Sequence, residues 1–134
     1  MIFADTGYFI ALFTPRDHLH ERAVAWSDAI NEPVITTEYV LLECVNALSK
    51  TRNRPSARIL VNHVREATGW EFISASRETF DAGLRLHFAR PDKDWSLTDC
   101  ISFHLMRSKG ITRALAYDEH FTQAGFDPLL RRQP

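Results

Sequence analysis

Four acidic residues stand where a folded chain seldom leaves carboxylates: Asp5 in IFADTGYF, Glu43 in TEYVLLECVN, Asp99 in WSLTDCISF and Asp118 in ALAYDEHF. Each follows a strand-like run or lies at the edge of an apolar helical pattern. An ionised carboxylate in such surroundings loses hydration that must be replaced. A hard divalent cation replaces it with direct oxygen coordination, and Mg²⁺ or Mn²⁺ prefers this kind of ligand. Metal held by carboxylates in turn suits work on phosphates, by polarising the phosphoryl group and activating a water.

Each acid also has a purely architectural explanation. Asp5 and Asp118 precede helices, so either can be an N-cap that accepts a bond from a free backbone N–H. Ser96-Leu-Thr-Asp99 reads as a capping box. Glu43 shares a helical stripe with Tyr39, Asn46 and Lys50 and can be solvent-facing. Taken singly these explanations win; taken together they weaken. Glu43 has Val40, Leu41, Leu42, Cys44 and Val45 around it, leaving only a narrow polar stripe. Caps do not require acids at the mouths of two strands.

The other polar residues carry weaker signals. Thr6 either orients Asp5 through its hydroxyl or merely occupies the first helical turn. His120 contacts a phosphate or caps a helix. Arg52 and Arg54 lead a basic cluster that either flanks a phosphate track or forms a solvated rim, which the helix dipole favours anyway. His18 and His20 beside Asp17 and Glu21 suggest metal, but residues two apart do not share a helix face, so an irregular helix start is the better reading. Asp94 is either a fifth member of the acidic set or a solvated turn residue, and its polar loop DKDW favours the turn. Tyr8 and Trp95 are candidates to stack bases near the acids, although core positions explain most of the aromatics.

Composition narrows the classes. The chain has 134 residues, 45% hydrophobic and 25% charged, which fits one globular domain, 1–134, and excludes a disordered or fibrous protein. Its net charge of −1 exerts no global pull on nucleic acid, so a polyanion must be met by local clusters or by metal. Two cysteines, Cys44 and Cys100, sit in apolar helical patterns and read as buried reduced thiols. No signal peptide or membrane span is legible, and the expected location is cytoplasmic.

The elements alternate, which predicts an α/β three-layer sandwich with a mainly parallel sheet flanked by helices. Strands are expected at 1–5, 33–36, 70–74 and 112–116, with Pro128-Leu129-Leu130 as an edge strand. Helices are expected from Tyr8 to Phe13, from a cap at Asp17 through Ile30, from Thr37 to about Lys50 and from about Ser56 to Ala67. Further helices run from a Ser76 cap to Phe88, from Leu97 to Ser108 before Gly110, and from Asp118 to Gln123. In open parallel sheets ligands bind beyond the carboxyl ends of the strands. Asp5 and Asp118 stand at two such ends, and Glu43 and Asp99 on nearby helices, so one pocket can gather all four.

The ordered set DTGYFIAL, TTEYVLLECVNAL, SLTDCISF and AYDEHFTQAGF resembles the PIN-domain family, particularly its VapC-like toxin ribonucleases. The resemblance spans nearly the whole chain. It implies a parallel sheet sandwiched by helices, and it puts Asp5, Glu43, Asp99 and Asp118 on metal-binding acidic positions with Thr6 on the hydroxyl position beside the first. It further implies a Mg²⁺- or Mn²⁺-dependent endoribonuclease, often dimeric, acting on RNA and held in check by a small antitoxin whose tail enters the active-site groove. Gly7 and Ala116 depart from the Ser, Asn or Thr that many relatives carry there. A rival within the same fold is a PIN-like module that binds RNA or a partner protein without cutting. A phospho-receiver or aspartyl phosphatase needs a lysine after a strand near Asp5 or Asp118, which is missing. Asp5-Thr-Gly also matches aspartic proteases, which are all-β, whereas this chain is richly helical.

Overall fold

The structure, a computed structural model, describes residues 1–134. The chain runs β1 (Ile2–Ala4), α1 (Thr6–Phe13), α2 (His20–Ala29), β2 (Val34–Thr37), α3 (Glu38–Ala47), α4 (Arg54–Glu66) and β3 (Trp70–Ile73). It continues through α5 (Arg77–Ala89), α6 (Leu97–Lys109), β4 (Arg113–Leu115), α7 (Glu119–Gln123) and β5 (Asp127–Pro128). Short 3₁₀ turns occupy Thr51–Asn53 and Leu129–Arg131. The five strands form one sheet in the order β3-β2-β1-β4-β5, and every pairing is parallel. The expected α/β sandwich with its helix-flanked sheet is therefore the observed fold.

Position in the sheet follows from composition. β1 reads Ile-Phe-Ala and is central, so both of its faces must be apolar, and all three residues are buried. Its register pairs Phe3 with Ile35 on one side and with Ala114 on the other. The chain leaves β1 toward β2 on one side, and β4 packs on the other, so a crevice opens between β1 and β4 at their carboxyl ends. That crevice is where the topology leaves room for a ligand. Helix boundaries obey local chemistry. Thr37 and Ser76 accept from the backbone N–H of Val40 and Thr79, and Gly110 ends α6 at φ 67°, a left-handed conformation that costs glycine little.

Packing between α5 and α6 is close enough to exclude any side chain at Gly83. A Cβ built there would lie 2.2 Å from Ile101 Cγ1 and 3.1 Å from its Cα. Cys44 and Cys100 are buried free thiols, as their surroundings predict. No helix is long and apolar enough to cross a membrane.

Some boundaries differ from expectation. α1 starts at Thr6 rather than Tyr8, directly after the Asp5 strand end. Asp17 does not cap α2; its carboxylate accepts from Leu19 N in the preceding turn, and the helix opens at His20. The strand expected over Pro128–Leu130 is limited to Asp127–Pro128. Leu130 N instead donates to Ala116 O at 3.0 Å, which draws Leu129–Arg131 into a 3₁₀ turn over the end of β4.

Candidate active site

Asp5, Glu43, Asp99 and Asp118 all line one open cavity of about 500 Å³. β1 delivers Asp5, and β4 delivers Asp118 through the following turn. α3 carries Glu43 and α6 carries Asp99, near its N-terminus. Residues separated by more than a hundred positions meet because β1 and β4 are hydrogen-bonded neighbours, Asp5 N donating to Leu115 O at 3.1 Å.

The architectural explanations hold for two of the four acids. Asp99 closes a full capping box, with Ser96 N donating to Oδ2 and Ser96 Oγ accepting from Asp99 N. Asp118 caps α7 by accepting from His120 N at 3.0 Å. Both still face the cavity, so capping and lining are served by one residue. Asp5 is different: it occupies the N-cap position of α1 without a side-chain capping bond. Its residue is only 8% exposed. Burial, foremost, and the nearby Asp99 carboxylate push its carboxyl up to about 8; a Thr6 backbone hydrogen bond offsets part of this, and Glu43 and Asp118 add to it.

His120 joins two of the acids. Its Nδ1 lies 2.9 Å from Asp99 Oδ2 and 3.5 Å from Asp118 Oδ1, so the ring aligns the α6 carboxylate with that of the α7 cap. Asp99 Oδ2 is thereby committed to protein partners, while Oδ1 makes no hydrogen bond. Thr6 also lines the cavity, and its buried Oγ1 has no hydrogen-bond partner.

A divalent ion suits this donor set. The four carboxylates are hard oxygen ligands, no lysine or arginine neutralises Asp5, and an unpartnered hydroxyl stands beside it. No three histidine, cysteine or acidic side chains close into a finished metal cage.

Other sequence candidates fall elsewhere. Arg52 and Arg54 are exposed and do not line the cavity; Arg54 Nε donates to Ser49 O and borders a separate surface hollow with Arg58. Tyr8 is buried beside a second cavity lined by His63 and Trp70. Trp95 is buried, with Nε1 donating to Gln123 Oε1 at 3.0 Å. Neither ring offers a face for stacking near the acids. Gly7 lines the cavity with open space where a Cβ would stand, and Ala116 is buried. Sequence reasoning passed over Tyr117 and Arg131, which join the acids in the cavity wall, and it set aside His18, which the same wall includes. Nothing in the local sequence of Tyr117 or Arg131 marks them, because both reach the site through tertiary packing.

Comparison with known proteins gives one consistent answer. The PIN domain profile matches residues 2–127. The 23S rRNA-specific endonuclease VapC20 of Mycobacterium tuberculosis is 29% identical over 126 residues, covering 94% of this chain and 95% of that protein. The crystal structure of Mycobacterium tuberculosis VapC20, a sarcin-ricin loop cleaving toxin, is similar with a TM-score of 0.87 and 26% identity over 94% of this chain and 96% of that one. FitAcB from Neisseria gonorrhoeae shares the fold, with a TM-score of 0.68 at 16% identity, over 96% of this chain and 95% of that one. With its acids at the carboxyl ends of a parallel sheet and a profile match over nearly its full length, the chain belongs to the PIN domain family.

Proposed function

We propose that this protein is a metal-dependent endoribonuclease that hydrolyses RNA phosphodiester bonds, the toxin of a toxin–antitoxin pair. The observation that carries the reading is Asp5: a buried carboxylate with no capping bond and no cationic partner, facing three further acids. A protein gains nothing structural from that arrangement, in which burial and the neighbouring acids keep Asp5 protonated until a cation takes the proton's place.

Asp5, Glu43, Asp99 and Asp118 are the residues that would hold Mg²⁺ or Mn²⁺, and the ion's chemistry is charge neutralisation at the scissile phosphate and a lowered pKa for the attacking water. The chain supplies alignment. Ser96 N and His120 fix Asp99, leaving Oδ1 free for the centre. Thr6 Oγ1 is free to donate toward Asp5 or a bound water. Asp118 keeps a half-exposed side chain whose Oδ2 makes no hydrogen bond, which suits it to take the proton of the attacking water. Arg52 and Arg54 are available to flanking RNA backbone. A small antitoxin protein and a homodimeric state belong to the proposal through the likeness to VapC toxins.

The likeness to VapC20 makes 23S ribosomal RNA the first substrate to try. Purified protein and Asp5→Ala are incubated with 23S rRNA and Mn²⁺. Discrete cleavage by the wild type alone supports the reading, whereas equal cleavage by both proteins points to contamination and counts against it. Mn²⁺ at about a hundred times its dissociation constant stabilises the fold by about 2.7 kcal/mol. Asp99→Asn removes that gain in a thermal melt, and a wild-type melting temperature indifferent to Mn²⁺ rejects the metal site.

A further inference from the structure

We propose that Arg131, locked against Tyr117 at the cavity rim, is a phosphate clamp that grips the RNA backbone next to the scissile bond; this rests on the nuclease reading above. Six carboxylates line the cavity, those of Asp5, Asp17, Glu43, Asp99, Asp118 and Glu119, against a single lysine or arginine, Arg131. A polyanion approaching that wall meets repulsion everywhere except at this guanidinium.

Arg131 is held rather than loose. Its guanidinium lies 4.2 Å from the centroid of the Tyr117 ring, and Nε donates to Tyr117 O at 2.5 Å. The His18 ring meets Tyr117 edge-on at 5.8 Å. The turn beneath is anchored by buried Leu129 and Leu130, and α2 straps it down through Arg22 Nη1 donating to Leu130 O and Trp26 Nε1 donating to Arg132 O. Arg131 nonetheless pairs with no carboxylate, and neither Nη atom has a partner. The neighbouring Arg132 shows the ordinary alternative, a bidentate pair with Asp127 at 2.7 Å. An arginine fork fixed in direction with both Nη groups unpaired matches two phosphate oxygens, and little side-chain freedom is lost when it binds.

The test compares wild type, Arg131→Ala, Arg131→Lys and Arg132→Ala. Binding of fluorescein-labelled mixed-sequence single-stranded RNA 12-mers is read by anisotropy in Ca²⁺ across a salt series, and 23S rRNA cleavage is read in Mn²⁺. Arg131→Ala weakens binding by about tenfold or more and lowers the salt slope by about 0.7, one single-strand phosphate contact, while a cooperative thermal melt shows the fold retained. Arg131→Lys retains part of the affinity, because charge survives while the fork is lost, and Arg132→Ala stays within about twofold of wild type. If Arg131→Ala binds like wild type, or Arg132→Ala falls equally, the clamp is overturned while Asp5-dependent cleavage leaves the nuclease reading standing. Arg131-dependent binding without cleavage of 23S rRNA supports the phosphate grip and counts against 23S rRNA as the substrate. A wild type that neither binds nor cleaves overturns both.

Discussion

The two ends of the sheet treat buried or half-buried acids in opposite ways. At the amino end, Glu32 precedes β2 and is met on both sides: the Met1 ammonium lies 2.7 Å from Oε2, and Arg113 pairs with Oε1. Those hydrogen bonds hold its carboxyl below the usual range. At the carboxyl end, Asp5 follows β1 and meets only other acids, and its carboxyl is raised to about 8. One acid is neutralised by its surroundings and therefore finished; the other is left unneutralised and needs a ligand. The contrast separates structural from functional charge better than burial or count, since both ends carry carboxylates beside a cavity.

The largest effect expected is on Asp5. Asp5→Asn lowers metal-dependent cleavage by at least about a hundredfold, since even changes beyond the ligands cost about 10- to 100-fold. The same change has an opposite effect on the metal-free fold. Between the ordinary 3.8 and about 8, folded Asp5 keeps a proton that the unfolded chain has released. The folded state thus binds more protons in that window, so stability falls as pH rises through it. In EDTA the wild-type melting temperature should drop between about pH 5 and 8, and Asp5→Asn should flatten the slope. A flat wild-type profile would erase the contrast between the two ends.

His120→Ala comes next. Without the ring that joins Asp99 to Asp118, Mn²⁺ affinity should fall about 10- to 100-fold, read by the metal dependence of the melt. Unaltered affinity would reduce His120 to a helix residue. Gly83→Ala sharpens the comparison by destabilising without touching either charge set. The Cβ meets Ile101 backbone as well as its side chain, so the cost is about 1–3 kcal/mol at every pH, with cleavage per folded molecule retained. The smallest effect is at the amino end. Glu32→Gln should cost at most about 1 kcal/mol, because solvent screens the partly exposed pair. Its sign is the reverse of Asp5: this contribution is present above the unfolded pKa and is lost as pH falls through the lowered folded value. Urea melts at two pH values measure it, and a loss on raising pH would contradict the assignment.

Much of the fold was legible because the signals were short-range. Ser76 and the Ser96–Asp99 box marked helix starts, Gly110 marked a stop, and the apolar run over residues 1–5 marked the first strand. The misses came where longer-range bonds overrode local pattern. Pro128-Leu129-Leu130 carries strand-like residues, but Leu130 bonds back to Ala116 and turns the chain. Asp17 looks like a cap in sequence, but it satisfies the N–H of Leu19 one turn early. Tyr8 and Trp95 are aromatic at plausible places, yet the core claimed both.

By itself the sequence determined the element types, their order and the four acids worth watching, because periodicity, capping and carboxylate chemistry act within a few residues. Tertiary structure alone decided that Asp5 goes without a cation while Glu32 has two, and that His18, Tyr117 and Arg131 complete the cavity wall. Those outcomes depend on which strands pair and where the C-terminal turn docks. Arg131 meets Tyr117 across 14 residues of chain, and no local rule specifies that approach.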